Sequence, residues 1–248
     1  MRTARVGDLA TQLRGVTFAK SDASNEPRDG TIGVVRAGNI VDGELLTDDL
    51  VFVPASKVNS KQLLRQHDVL IAASSGSLEV VGKAARVRDD QRVAFGAFCK
   101  VLRPSARVDP GYFSHYFQTS EYRRHVSSVA AGANINNLKN SDLDDIEIPL
   151  PPIEEQRRIA AVLDAANALR AKRRQALAKL DTLTQAIFID MFGDPLHPSK
   201  GLRHSRLGDI AAFVRGVTFK PSDVLSEPES GSVQVMRTAN VQSKLDTN

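Results

Sequence analysis

The sequence predicts an α+β protein: a compact mixed domain, then a long coiled-coil-type helix, then the start of a second, repeated domain. Three observations carry this. Residues 5–22 (RVGDLATQLRGVTFAKSD) and 206–223 (RLGDIAAFVRGVTFKPSD) align without a gap at an offset of 201 positions, with 11 of 18 residues identical. Short β-branched runs bounded by Gly, Pro or Asp fill residues 1–150. From Ile153 to Phe192 there is neither Gly nor Pro, and strong helix formers dominate. The repeat is far longer than the roughly 20–50 residues of a solenoid unit, so it marks a domain-scale duplication. The predicted boundaries are a first domain over 1–150, a helical connector over 151–195 and an incomplete second copy over 196–248. A unit–spacer–unit chain suits a target that comes in two separated parts.

Within the first domain, strands are expected at residues 32–36, 50–53, 68–73, 79–87, 93–102 and 146–148. Helices are expected over 54–64 and 110–129, the second capped by Asp109 with Pro110 in its first turn. Residues 132–137 (Gly-Ala-Asn-Ile-Asn-Asn) read as a loop. Runs of strands with helices set apart fit an α+β domain better than a doubly wound sheet. In the connector, Ile159, Val162, Ala166, Leu169, Arg173, Ala176, Leu180, Leu183 and Ile187 step by 3 and 4 and form a heptad seam. Leu163 and Leu177 widen it. Arg173 either fixes register against a partner helix or snorkels out of the seam. Gly193-Asp-Pro195 is the stop signal. Such a stripe needs a second helix, and its source is another chain.

Composition narrows the chemistry. The chain has 248 residues and a net charge of +4, which permits nucleic acid without demanding it. Residues 1–150 hold 19 basic and 18 acidic side chains, but Lys83, Arg86, Arg88, Arg92, Lys100, Arg103 and Arg107 crowd 83–107 against Asp89 and Asp90 alone. On neighbouring strands these would present a basic face; the plainer outcome is an ordinary solvated sheet surface. The single cysteine, Cys99, allows no internal disulfide and reads as an inert core thiol. No run reaches the roughly 18 apolar residues of a membrane span, and no signal-peptide core opens the chain, so a cytoplasmic protein without a membrane partner is expected.

Catalytic signatures are missing. Gly76 to Lys83 imitates a phosphate loop but has five residues between its glycines, and Ala84 replaces the magnesium-binding hydroxyl. The five histidines lack metal-ligand spacing, no acidic residue stands two places before a lysine, and Gly-x-Ser-x-Gly does not occur. Nothing in the sequence points to covalent chemistry or to a metal.

The junction Asp145-Ile-Glu-Ile-Pro-Leu-Pro-Pro-Ile-Glu-Glu-Gln-Arg-Arg-Ile159 resembles the short strand, Pro-Leu-Pro-Pro turn and helix start of the specificity subunit of a type I restriction-modification system. Phe192-Gly-Asp-Pro195, Leu9 to Phe18 with Gly15, Arg36 to Asn39, and Gly132 to Leu138 resemble recurrent points of the same family. The resemblance implies a target-recognition domain over 1–150 and a ruler and docking helix over 153–192, with Ile159, Val162, Ala166, Leu169, Leu180, Leu183 and Ile187 on the docking seam. It implies a non-catalytic subunit that binds double-stranded DNA and directs methyltransferase and restriction subunits. S-adenosylmethionine belongs on the methyltransferase, with no cofactor on this chain. The chain departs from the family's usual pair of complete domains, and a second copy of itself is a candidate partner.

A recognition domain grips phosphates for position and reads base edges for sequence. Candidates for gripping are Lys83, Arg86 and Arg88. Candidates for reading sit on loops: Arg36 and Asn39; Ser74, Ser75 and Ser77; Asn134, Asn136, Asn137 and Lys139. Arg36 and Asn39 recur as Arg237 and Asn240, which favours scaffold over readers at those two positions. The competing function, of another class, is a coiled-coil assembly protein whose globular head binds protein.

Overall fold

The computed structural model describes residues 2–130, 137–194, 197, 201, 205–225, 227 and 229–236. The chain divides into two compact units, Met1–Ala178 and Lys179–Asn248.

The elements of the first unit are β1 (Thr3–Arg5), α1 (Val6–Leu9), β2 (Ala10–Arg14), β3 (Thr31–Val35), β4 (Ile40–Val41), β5 (Glu44–Leu45), β6 (Val51–Pro54), β7 (Val69–Ala72), β8 (Ala84–Arg86), β9 (Val93–Phe95), β10 (Cys99–Pro104), α2 (Pro110–Tyr116), α3 (Ser120–Ala130), α4 (Asn140–Asp144), β11 (Glu147–Pro149) and α5 (Ile153–Phe192), the last continuing into the second unit. An antiparallel sheet runs β2-β10-β7-β8, and a second sheet runs β6-β3-β9 with β3 and β9 parallel. β4 and β5 form a hairpin, and β1 pairs with β11.

β7 shows why its sequence is an unbroken apolar run. Strand residues alternate between faces, and here both faces are covered. Val69 and Ile71 pack with Phe113, Phe117, Tyr122 and Leu102 beneath α2 and α3. Leu70 and Ala72 pack with Phe95, Cys99 and Val101 on the other side. The helical side holds an edge-to-face cluster, Phe113 on Phe117 at 5.0 Å and Phe117 on Tyr122 at 5.1 Å. Asp68, fully buried beside β7, is held by two Arg103 nitrogens at 2.8 and 2.7 Å and by the Arg65 amide at 2.9 Å. A buried carboxylate needs such partners.

The predicted strands at 32–36, 50–53, 68–73 and 146–148 appear within a residue of β3, β6, β7 and β11, and the helix from Ile153 to Phe192 appears whole. Asp109 caps α2 through its Oδ1, which accepts the Tyr112 amide at 2.9 Å. Other expectations are corrected. The predicted helix over 54–64 is two separate 3-10 turns, Ala55–Lys57 and Ser60–Gln62. Asn59 interrupts it: its side chain accepts the Lys61 amide while Gln62 Oε1 accepts the Asn59 amide, the local alternative that Asn offers the backbone. The helix over 110–129 is split at Phe117, where Gln118 turns aside to the Ala84 carbonyl and the Thr119 hydroxyl accepts the Tyr122 amide. Residues 79–83 form a turn, leaving only Ala84–Arg86 as strand. The single strand over 93–102 is two strands in different sheets, joined by a turn at Gly96-Ala97-Phe98 in which Cys99 N–H donates to Gly96 O.

That turn is pinned from β2. Val16 N–H donates to Phe95 O at 2.7 Å, and Gly96 N–H donates to Val35 O at 3.0 Å. A Cβ on Gly15 would lie 2.1 Å from the Gly96 carbonyl oxygen. Only glycine permits this backbone contact.

In the second unit, residues 179–192 continue α5, which ends at Gly193 with a φ of +87°. Pro195, the rest of the predicted stop, lies outside the described residues. The repeat reproduces its local structure in register: α6 (Leu207–Ile210) matches α1, and the 3-10 turn Pro221–Asp223 matches Lys20–Asp22. The Asp22 carboxylate accepts the Ala19 amide, and Asp223 accepts the Lys220 amide. Burial does not follow. Val6, Leu9 and Val16 are buried, whereas Leu207, Ile210 and Val217 are 60%, 70% and 75% exposed, and Gly216 has no neighbour within 4 Å of an added Cβ. No counterpart of β7 or β10 falls within the 248 residues.

Gly15→Ala is therefore expected to cost about 3 kcal/mol, since the clash is with backbone and cannot relax by a rotamer change. Gly216→Ala should stay within about 0.5 kcal/mol. Urea denaturation of both variants checks the contrast, and equal midpoints would refute it.

Candidate nucleic-acid interface

Parallel β3 and β9 end on the same side, at Arg36 and Gly96, and β7 ends beside them at Ser74. Hydrogen bonds tie these ends together. The amides of Ala73 and Ser74 both donate to Phe98 O, at 2.9 and 3.0 Å, and Leu138 N–H donates to Ala73 O at 2.8 Å. Ser74 also bridges to Asn137. Three of the loops singled out from sequence thus meet at one end of the domain. Asn134 and Asn136 lie outside the described residues.

This end opens as a cleft of about 1500 Å³, whose lining includes Thr17, Lys20, Arg36, Asp49, Ser74 and Phe98. The lining supplies donors and acceptors of both signs. Arg36 is half exposed and stands 3.5 Å from Asp49. Asn39 has a different job. It is buried, its Oδ1 accepts the Arg36 amide at 2.7 Å, and its Nδ2 donates to Asp49 O at 2.9 Å. It clamps the loop and offers nothing outward. Ser75 and Ser77 accept the amides of Ser77 and Glu79, so their hydroxyls shape the turn. The exposed Lys139 marks the start of α4, its amide bonded to Asp142. Cys99 underlies the cleft; burial pushes its thiol up to about 12, which keeps it protonated and unreactive.

The proposed phosphate grips separate. Lys83 is exposed opposite Ala72, at the cleft end of β8. Arg86 and Arg88 recede along the strand into ion pairs, Arg86 with Asp164 at 3.3 Å and Arg88 with both oxygens of Glu44 at 2.6 and 3.1 Å. Lys100, Arg103 and Arg107 likewise bind Asn140, Asp68 and the Asp8 carbonyl. Five of the seven basic residues in 83–107 are thus held by their own chain. Sequence reasoning also missed Phe98. Its ring is 71% exposed on the cleft's lip, and the signal was a large aromatic directly after a Gly-Ala step.

The junction motif proves to be an anchor. Gln156 is 2% exposed; its Oε1 accepts the Asp109 amide at 2.9 Å and its Nε2 donates to Pro151 O at 2.8 Å. One and two turns on, Ala160 is buried where an added Cβ on Gly111 would come within 3.0 Å of it, and Asp164 meets both Arg86 and His115. This i, i+4, i+8 stripe faces the domain. At 100° per residue, Val162 and Leu169 fall on the opposite side and are 59% and 67% exposed, with Ile159 and Ala166 half-buried at the flank. In the second unit Leu180, Leu183 and Ile187 are exposed too. No helix of the described residues is long and apolar enough to cross a membrane.

The first unit is thus a two-sheet α+β domain with a cleft of mixed polar and apolar lining at one end and a helix locked to its flank. Residues 1–179 match the type I restriction modification DNA specificity domain, and the chain belongs to that family. It is 40% identical over 210 residues to the StySPI type I restriction enzyme specificity subunit of Salmonella potsdam, covering 83% of this chain and 45% of the relative. To the EcoKI specificity subunit of Escherichia coli K12 it is 45% identical over 161 residues, covering 65% and 35%. The chain thus spans under half the length of these curated relatives. The solved HsdS subunit from Thermoanaerobacter tengcongensis shares the fold, with a TM-score of 0.53 at 23% identity over 77% of this chain and 44% of that one.

Replacing Gln156 by Ala leaves the half-buried Asp109 amide without its partner, an expected loss of about 1 kcal/mol. Thermal melting reads the loss, and hydrogen exchange at Asp109 should accelerate with it. An unchanged melt would rule out the anchoring role.

Proposed function

We propose that this chain is the sequence-reading, non-catalytic subunit of a type I restriction-modification complex. Its first domain binds one half-site of double-stranded DNA, and its helix docks methyltransferase subunits. Those subunits carry the S-adenosylmethionine, and the restriction subunit joins the full complex. The exposed seam of α5 takes a second helix, from a partner subunit or a second copy of this chain. The observation that carries this reading is the convergence of Arg36 and Ser74 on one cleft, with Asn137 bridged to Ser74, in a chain of the specificity family. Base reading requires hydrogen-bonding side chains on loops held by a rigid frame, and this end supplies them. Gripping passes to Lys83 and the basic side chains near the cleft, because Arg86 and Arg88 are bound elsewhere.

Duplex binding by the full chain, with its methyltransferase partner, should fall steeply with salt. Each phosphate contact adds about 0.9 to the slope, so even three cost roughly 40-fold between about 50 and 200 mM. Fluorescence anisotropy measures this. A flat salt response, or stable capture of protein with no DNA affinity, would instead identify a protein-binding head.

A further inference from the structure

We propose that Phe98 reads the 5-methyl group of a thymine at one position of the target, an assignment that rests on the DNA-reading function above. The ring is the one large apolar side chain on the Gly96-Ala97-Phe98 turn and is 71% exposed. The core makes no use of it: the residues flanking the turn, Phe95 and Cys99, both sit in one buried cluster that does not include Phe98. Its backbone, by contrast, is fixed. The Phe98 carbonyl accepts two amides from the end of β7, Gly96 is bonded to β3, and Gly15 abuts the turn. A rigid turn that presents an unused aromatic beside Arg36 and Ser74 is built for contact with something outside the chain.

The chemistry of the surroundings selects the contact. Arg36, Asp49 and Ser74 offer the donors and acceptors that suit base edges in the major groove. The one apolar feature on those edges is the thymine methyl, and an aromatic ring is among the side chains that meet it. A phosphate-tracking surface would have no use for the ring in this place. Because the turn is tied at both ends, the ring reaches a single base pair, not a stretch.

Selection from duplexes with a randomised core, using the full chain with its methyltransferase partner, provides the target. Wild type should enrich a half-site, and Phe98→Ala should keep that half-site while losing preference at one A·T pair. Phe98→Leu, which retains an apolar contact, should keep the preference. On the selected duplex, deoxyuridine in place of that thymine should weaken wild-type binding about fourfold, the worth of one buried methyl, and leave Phe98→Ala unaffected. Equal melting of the variants confirms that the exposed ring is not structural. An unchanged motif for Phe98→Ala, or a wild type indifferent to deoxyuridine at every selected thymine, overturns the assignment. If wild type enriches no motif at all, the DNA-reading function itself falls, and the assignment with it.

Discussion

The approach of Gly15 to Gly96 is the constraint on which the first domain turns. Two sheets must meet, and the chain must pass from one to the other between β9 and β10. With a Cβ position only 2.1 Å from a carbonyl oxygen, the crossing is possible only between bare backbones. Once made, it fixes three things together. β2 is tied to the end of β9, β10 begins in the register that buries Cys99 and Val101, and the turn that carries Phe98 is held against the end of β7. The cleft is a consequence. It lies where strands from two sheets end side by side, so its walls are loops while its floor is frame.

Several elements governed by local rules were legible in the sequence. The Asp109–Pro110 helix start, the unbroken α5 and the Gly193 stop depend on neighbours within a turn or two, and each is found where expected. How strands divide among sheets and pair with distant partners was not. β9 and β10 read as one strand because Val93-Ala-Phe and Cys-Lys-Val are both apolar; only the sheet each joins tells them apart. β1 pairs with β11 across more than 140 positions and itself carries too few residues to show a period. The β4–β5 hairpin was a true oversight, since Asp42-Gly43 adopts the two positive φ values that such a dipeptide signals. For the site, loop positions could be named but roles could not. The recurrence of Asn39 as Asn240 pointed to scaffold, but nothing in the order of residues says that it bonds the backbone of Arg36 and Asp49, or that Arg88 finds Glu44.

The duplication separates these two levels within one chain. Val6–Leu9 and Leu207–Ile210 form the same helical turn, and Asp22 and Asp223 close the same 3-10 turn by the same bond. Yet the apolar side chains are buried in one copy and bare in the other. Turn chemistry is therefore written in the repeat itself, whereas burial is conferred by distant strands: β7 and β10 for Val6 and Leu9, and β3, β6 and β9 for Val16. It follows that the glycine of the shared Arg-Gly-Val-Thr-Phe segment matters only when a Gly96 is there to press against it.

α5 answers to two masters on opposite faces. The face bearing Gln156, Ala160 and Asp164 is spent on its own domain, with polar groups that bond to Asp109, Arg86 and His115. The face bearing Val162 and Leu169 is apolar and bare. Polar bonds are directional, so they set the angle at which the helix leaves the domain; apolar packing is not, so it tolerates more than one partner helix of the right pattern. That division accounts for the place of Arg86 in the anchor. A cation facing Asp164 at 3.3 Å, beside a buried stripe, has its geometry set by the helix. The orientation of the cleft relative to the exposed seam of the first unit is then decided by a few hydrogen bonds at the root of the helix, which the loops lining the cleft do not make.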